Sequence, residues 1–331
     1  MKKSIFTIAM AATALIFTSC NDDDNNGTPV QSRAELYATN GASGNVTVYD
    51  FAAAGGVQTS TLTTVSTSNE GVVYDPTTNE LLVVSRSEDY VSVFGNIQAQ
   101  LTGATTAITG TSSSADLDSP RAIAVNGNVV VVADNAANEL IVYTKNGSNL
   151  TLRNTVQVAF PLWAIEFIGN DMYAVVDQSS DLAVFSNFTT NTTNGAVAAS
   201  KRITIEGIVR THGLAYDAQD NILVMTDIGS AMDANDGGFH VIPNFTAQFA
   251  GVANGGTLGV ATQTRVAGAA TLLGNPVAVD YDTATNTIYV AEAANGGGRV
   301  LAFTNYSTGG NIAPVVNNML AGANSVYFYG N

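Results

Sequence analysis

The chain has 331 residues, with 12 Lys and Arg against 27 Asp and Glu, a formal net charge of −15. Such a chain repels polyphosphate, which excludes nucleic-acid binding through a basic face. One cysteine and two histidines exclude a disulfide framework, a thiolate zinc site and a multi-histidine metal centre. Charged residues are only 12% while hydrophobic ones reach 46%, the balance of a globular β-protein rather than a disordered acidic chain.

Lys2 and Lys3 open the chain, and Ile5 to Phe17 is an uncharged, mostly apolar run too short to span a bilayer as a helix. It ends in Phe17-Thr18-Ser19-Cys20, which resembles a bacterial lipobox. Residues 1–19 are therefore expected to be a signal peptide, and Cys20 the lipidated N-terminus that anchors the protein to a membrane. Residues 20–33 follow as a flexible acidic tether carrying Asp22, Asp23 and Asp24. Acidic residues directly after the cysteine resemble the surface-export signal of Bacteroidota lipoproteins. The expected location is the outer membrane, on its periplasmic or cell-surface side.

Beyond the tether one pattern recurs. Its plainest copies run Ser119-Pro-Arg-Ala-Ile-Ala-Val125, then Val129 to Asp134, then Glu139 to Tyr143; and Asn275-Pro-Val-Ala-Val-Asp-Tyr281, then Ile288 to Glu292, then Arg299 to Phe303. Others begin near Asn69, Pro161 and Thr211. Each joins a β-branched strand, an Asn/Gly/Asp/Pro turn, a second strand and a third closed by Phe94, Tyr143, Phe185, Ile242 or Phe303. The sixth copy is split, with its first strand at Asn324–Tyr329 and its second and third at Leu36–Asn40 and Asn45–Tyr49. Spread over residues 34–331, six copies give about 50 residues each, within propeller repeat lengths. The reading is an all-β, six-bladed propeller whose last blade is built by both chain ends, leaving no open edge strand. Residues 245–274 are long enough to hide further strands, so five or seven blades stay open.

The segments at 119–143 and 275–303 resemble the repeats of NHL-type six-bladed propellers. That resemblance implies architecture and leaves function open.

Symmetric hairpin pairing names one end of the central channel. It sets Glu70 opposite Arg86, Arg121 opposite Asp134, Trp163 opposite Asp177, His212 opposite Asp227, Val277 opposite Glu292 and Asn324 opposite Asn40. The first members ring the channel mouth. Glu70, Arg121, Trp163, His212 and Asn324 thus form a candidate ligand site, with Trp163 a stacking platform and Arg121 a partner for carboxylate or sugar. Glycan, peptide or small-metabolite ligands suit it. Asp134, Asp177, Asp227 and Glu292 read as structural acceptors for turn N–H groups, and the strand cores read as uniformly apolar. The copy at Thr211 inserts Gly229–Gly238, where Asp233, Asn235 and Asp236 offer oxygen ligands of the kind Ca²⁺ takes, although the spacing fails the EF-hand pattern.

Glu70-Gly71-Val-Val-Tyr-Asp75 and Thr211-His-Gly-Leu-Ala-Tyr-Asp217 resemble segments of the gluconolactonase-type propellers, which bind a divalent metal at the mouth and polarise a lactone. Only Glu70 carries over. His212 replaces an expected Asn ligand, Val277 stands where an Asp is needed, and Arg121 sets a cation beside the metal. No phosphate loop, serine elbow or zinc-protease motif is present. A non-catalytic binding or scaffold module is the expected function; a metal-dependent lactonase and a purely structural surface protein are the alternatives.

Overall fold

A computed structural model of the chain describes residues 32–113 and 117–331. Cys20, the expected signal peptide and most of the expected tether lie outside the described residues. The described part is a six-bladed β-propeller of six antiparallel sheets, each built from an innermost strand outward.

Blade one is Asn69–Asp75, Glu80–Ser85, Tyr90–Gly95 and Thr111–Ser112. Blade two is Pro120–Asn126, Val129–Asp134, Glu139–Asn146 and Asn149–Gln157, and blade three is Leu162–Ile168, Asp171–Val176, Asp181–Phe185 and Lys201–Ile205. Blade four is Leu214–Asp217, Ile222–Asp227, Gly238–Ile242 and Thr264–Ala267, and blade five is Pro276–Asp282, Thr287–Glu292, Arg299–Phe303 and Val316–Met319. Blade six takes its innermost strand, Ala323–Gly330, from the C-terminal end. Ala34–Asn40, Val46–Asp50 and Gln58–Thr63 complete it from the N-terminal side.

Residues 245–274 add no blade. They hold a short helix at Phe245–Gly251 and outer strands of blades three and four. Each blade also has a fourth strand beyond the expected three. Short segments at Thr105–Ala107, Gly195–Ala196 and Thr257–Leu258 pair in parallel with the fourth strands of blades six, two and three, covering edges that would otherwise stay open.

Alternation within each strand puts apolar side chains on both sheet faces, so every blade packs on two neighbours. Six buried apolar clusters result, one at each blade interface. The seam between blades six and one is no exception, with Tyr37, Val48, Leu62, Val72, Leu81 and Phe94 buried together. The expected closers Phe94, Tyr143, Phe185, Ile242 and Phe303 are all buried.

A latch reinforces the closure. Arg33 donates twice to Glu35, at 3.0 and 2.6 Å, and once to the Tyr74 hydroxyl, while its guanidinium lies 4.4 Å from the Tyr329 ring centre. Its backbone N–H bonds the Asn331 side chain at 2.8 Å. The two ends of the ring are joined to each other and to blade one.

Around the axis, the residue after each expected ring residue is small: Gly71, Ala122, Ala164, Gly213, Ala278 and Ser325. A Cβ on Gly71 would sit 2.8 Å from the Ile123 nitrogen of the next blade, and one on Gly213 2.9 Å from the Ala278 Cα. The innermost strands approach too closely at this level for larger side chains.

Deleting Asn324–Asn331 is expected to destabilise the whole ring, since it removes an innermost strand and its share of two interblade cores. A thermal melt checks this. Unfolding at the full-length temperature would show that the terminal strand does not close the ring.

Candidate functional site

The six expected mouth residues do lie at one end of the channel, but not in the expected pairs. In blade two Ala133 faces Ala122 and Asp134 faces Pro120, so Arg121 is an extra residue. Blades five and six repeat this at Val277 and Asn324. In blade one the extra residue falls within Glu70-Gly71, and in blade three within Trp163-Ala164. A β-bulge re-aims the side chain it carries, and here it occurs where the innermost strand leaves the mouth. For blade four, regular pairing starts only at Leu214, after His212.

Four of these residues form one continuous chain of contacts. The buried Glu70 Oε1 accepts from Arg86 at 2.8 Å and from Arg121 at 3.3 Å. The Arg121 guanidinium lies 4.5 Å from the Trp163 ring centre. The indole stacks on His212, with centres 3.6 Å apart and planes 5° apart. His212 Nε2 meets Asp177 Oδ1 at 3.2 Å, and Arg210 donates to the same oxygen at 3.1 and 2.8 Å. Trp163 therefore has both faces covered, and the stacking platform expected of it is already occupied by the protein's own groups. Of the remaining ring members, Val277 is buried and Asn324 donates to the Asn69 carbonyl.

Burial governs the ionisation of this chain. It raises the Glu70 carboxyl against the pull of Arg121 and Arg86, and lowers Arg121, which still stays charged. It lowers His212, helped by Arg210 and Arg121 and opposed by Asp177, so the imidazole is neutral and donates from Nε2. Its Nδ1 is then a buried acceptor with no donor among the described residues. Burial would also raise Asp177, but hydrogen bonds from His212 and Arg210 hold it well below the usual carboxylate range. The accessible ends of the chain are Arg86 and Arg210, with side chains 44% and 28% exposed.

The acidic ends of the second strands behave largely as structural acceptors. Asp134 accepts from the N–H groups of Asp118, Ser119 and Ala136, and Glu292 from those of Gly274, Asn275, Ala294 and Asn295. Asp227 holds Val209, Arg210 and Gly229 in the same way. Asp177 departs from the set, because its main partners are side chains of the mouth.

The residues do not fit a mouth metal of the gluconolactonase kind. Glu70 already faces two guanidiniums, and neither His212 nor Val277 adds an oxygen ligand. In the inserted loop, Asp236 accepts from the Ser230 N–H, Asp233 from the Asn235 N–H, and Asn235 from the Asn295 side chain. Among the described residues no group of three or more His, Cys, Asp or Glu is gathered to hold a metal ion.

Three polar groups went unrecognised in the strand cores. Below the ring of small residues the channel is lined in turn by Val73, Ala124, Glu166, Ala215, Asp280 and Tyr327, within a cavity of about 320 Å³. The signal was present: copies that agree on an apolar or small residue here are broken by two acids. Asp280 accepts backbone N–H bonds from Phe328 at 2.5 Å and Tyr281 at 2.8 Å. The Glu166 carboxyl has no hydrogen-bond partner among the described residues. Burial, and then the Asp280 charge, pushes Glu166 up to about 8. Burial pushes Asp280 up to about 7, against its two backbone donors, with Asp217 and Asp282 adding to the rise.

No protein-family model matches the chain, and neither does any curated protein. Among solved structures, a chain of the nidogen/laminin complex superposes with a TM-score of 0.62 at 12% identity, covering 89% of this chain and 98% of that one. Hydrazine synthase of Kuenenia stuttgartiensis gives a TM-score of 0.50 at 14% identity, covering 80% and 75%. At such identities the likeness establishes the propeller fold alone.

The waist acids predict a pH dependence. Their folded-state values lie above their unfolded ones, so stability is highest in acid and declines as pH rises through about 4 to 8. Glu166→Gln should leave the melting temperature nearly unchanged at pH 5. At pH 9 it should raise it by several degrees, of the order of 3 kcal/mol. Melts at the two pH values check this; a variant no more stable than wild type at pH 9 would contradict the raised carboxyl of Glu166.

Proposed function

We propose that the propeller is a non-catalytic binding module that captures an acidic ligand, such as a uronic-acid glycan or an acidic peptide, at the channel mouth. The observation that carries this is the contact chain from Arg86 through Glu70, Arg121, Trp163, His212 and Asp177 to Arg210. It fixes two accessible guanidiniums at its ends, with Arg121 between them lining the channel cavity, in a protein with only 12 Lys and Arg. Guanidinium is the donor best matched to carboxylate, and holding it in place beforehand lowers the entropy lost on binding. Trp163 and His212 serve as positioning groups. Catalysis would require an activated nucleophile or an open metal position, and the mouth groups supply neither.

The test is a thermal-shift and titration series with oligogalacturonate, neutral glucose oligomers and an acidic peptide. Wild type should be stabilised by the acidic probes, and Arg86→Ala with Arg210→Ala should weaken that binding at least tenfold. Equal binding of neutral and acidic sugars, or unchanged binding by the double variant, would contradict the reading. Turnover of a lactone on addition of Ca²⁺ or Zn²⁺ would favour the enzyme instead.

The proposal places this module outside the cytoplasm on a lipid anchor at Cys20, in the outer membrane. The support is sequence alone: the charged start, the short apolar run, the lipobox-like end and the acidic tether. Cys20→Ala should move the protein from the membrane to the soluble fraction. An unchanged membrane fraction would rule the anchor out, and protease treatment of intact cells reports which side carries the ring.

A further inference from the structure

The waist of the channel is distinct in chemistry from the mouth. Its polar groups come from three blades, Glu166 from blade three, Asp280 from blade five and Tyr327 from blade six. In the ring Glu166 stands opposite Tyr327, with Asp280 beside the tyrosine. The other three positions at this level are Val73, Ala124 and Ala215, so nothing cationic faces the acids from blades one, two or four. The charged groups that act on them from farther off are also acidic, Asp217 and Asp282 toward Asp280 and Asp75 toward Tyr327. Neither the Glu166 carboxyl nor the Tyr327 hydroxyl has a hydrogen-bond partner among the described residues. Both carboxyls are half-buried and face the channel, where two neighbouring acids without a counter-charge disfavour each other's ionisation.

We propose that the waist binds a primary alkylammonium group, such as a small free amine or a lysine-like side chain. An –NH₃⁺ head carries three N–H donors, and three acceptor groups from three blades surround the axis to receive them. Its charge supplies what the two carboxylates lack. The small residues above, Gly71, Ala122, Ala164, Gly213, Ala278 and Ser325, leave a narrow shaft that suits a slender chain and excludes a bulky one. A calcium ion fits less well, since it takes six to eight oxygen ligands and the waist side chains offer three oxygen-bearing groups. This inference does not depend on the acidic-ligand reading of the mouth, because it uses none of the mouth residues.

The test is calorimetric titration of the full protein at pH 8.5 with n-butylammonium chloride, tetramethylammonium chloride and calcium chloride. Butylammonium should bind once per chain and raise the melting temperature, while tetramethylammonium, which has no N–H donor, should not bind measurably. Glu166→Gln and Asp280→Asn should each weaken butylammonium at least tenfold, and Tyr327→Phe about threefold. Glu166→Gln removes a destabilising charge, so it remains folded and the comparison stays valid. Affinity should fall from pH 8.5 to 5.5 as the carboxylates take up protons, and binding near pH 7 should release protons to the buffer. Equal binding of both ammonium ions, binding of calcium with none of butylammonium, no binding of any probe, or full affinity in both acid variants would each overturn the proposal.

Discussion

Six innermost strands converge on one axis, and the space between them at the level below the mouth has no room for a bulky side chain. That constraint organises the rest. It selects Gly71, Ala122, Ala164, Gly213, Ala278 and Ser325 in register around the ring. In five blades a bulge lies immediately beside that level, so the residue ahead of the small one is turned at the mouth. The repeat thus presents six variable side chains at one rim while the scaffold beneath them stays almost invariant.

Charge is treated in opposite ways at the two levels. At the mouth every acid is answered: Glu70 by Arg86 and Arg121, Asp177 by Arg210 and His212. At the waist Asp280 has two backbone N–H donors and Glu166 has none. A buried ion pair with good geometry fixes conformation even when it adds little net stability, and the mouth fits that description. The waist has no such compensation for the charge its acids acquire when they ionise. One channel therefore contains a preorganised rim and an electrostatically incomplete interior.

Much of this was legible in the sequence, for physical reasons that can be named. Strand alternation and Asn/Gly turns gave the blades and the split closure, because interblade packing requires apolar residues on both faces of every sheet. The mouth residues were legible because a repeat position that varies while its neighbours do not is conspicuous. Their partners were not, since a bulge adds one residue and symmetric counting across a turn cannot register it; Asp134 consequently faces Pro120 instead of Arg121. The fourth strands escaped because several are polar and exposed, as at Thr111–Ser112. Glu166 and Asp280 escaped for the opposite reason. Each sits inside a strand whose hydrophobic neighbours dominate the pattern, and only alignment of the copies against each other isolates the two acids.

The closing strand has a mechanical consequence. Ala34–Asn40 lies antiparallel between Ala323–Gly330 and Val46–Asp50, and the chain enters it at Arg33. A pull on the polypeptide ahead of Ser32 would run along that strand rather than across it. Its ladder bonds on both sides would then be loaded together in shear, with the Arg33–Glu35–Asn331 contacts first in line. Strands sheared lengthwise resist force far better than strands peeled apart bond by bond. The seam that joins the two ends is thus the part of the ring arranged to carry tension from that end of the chain.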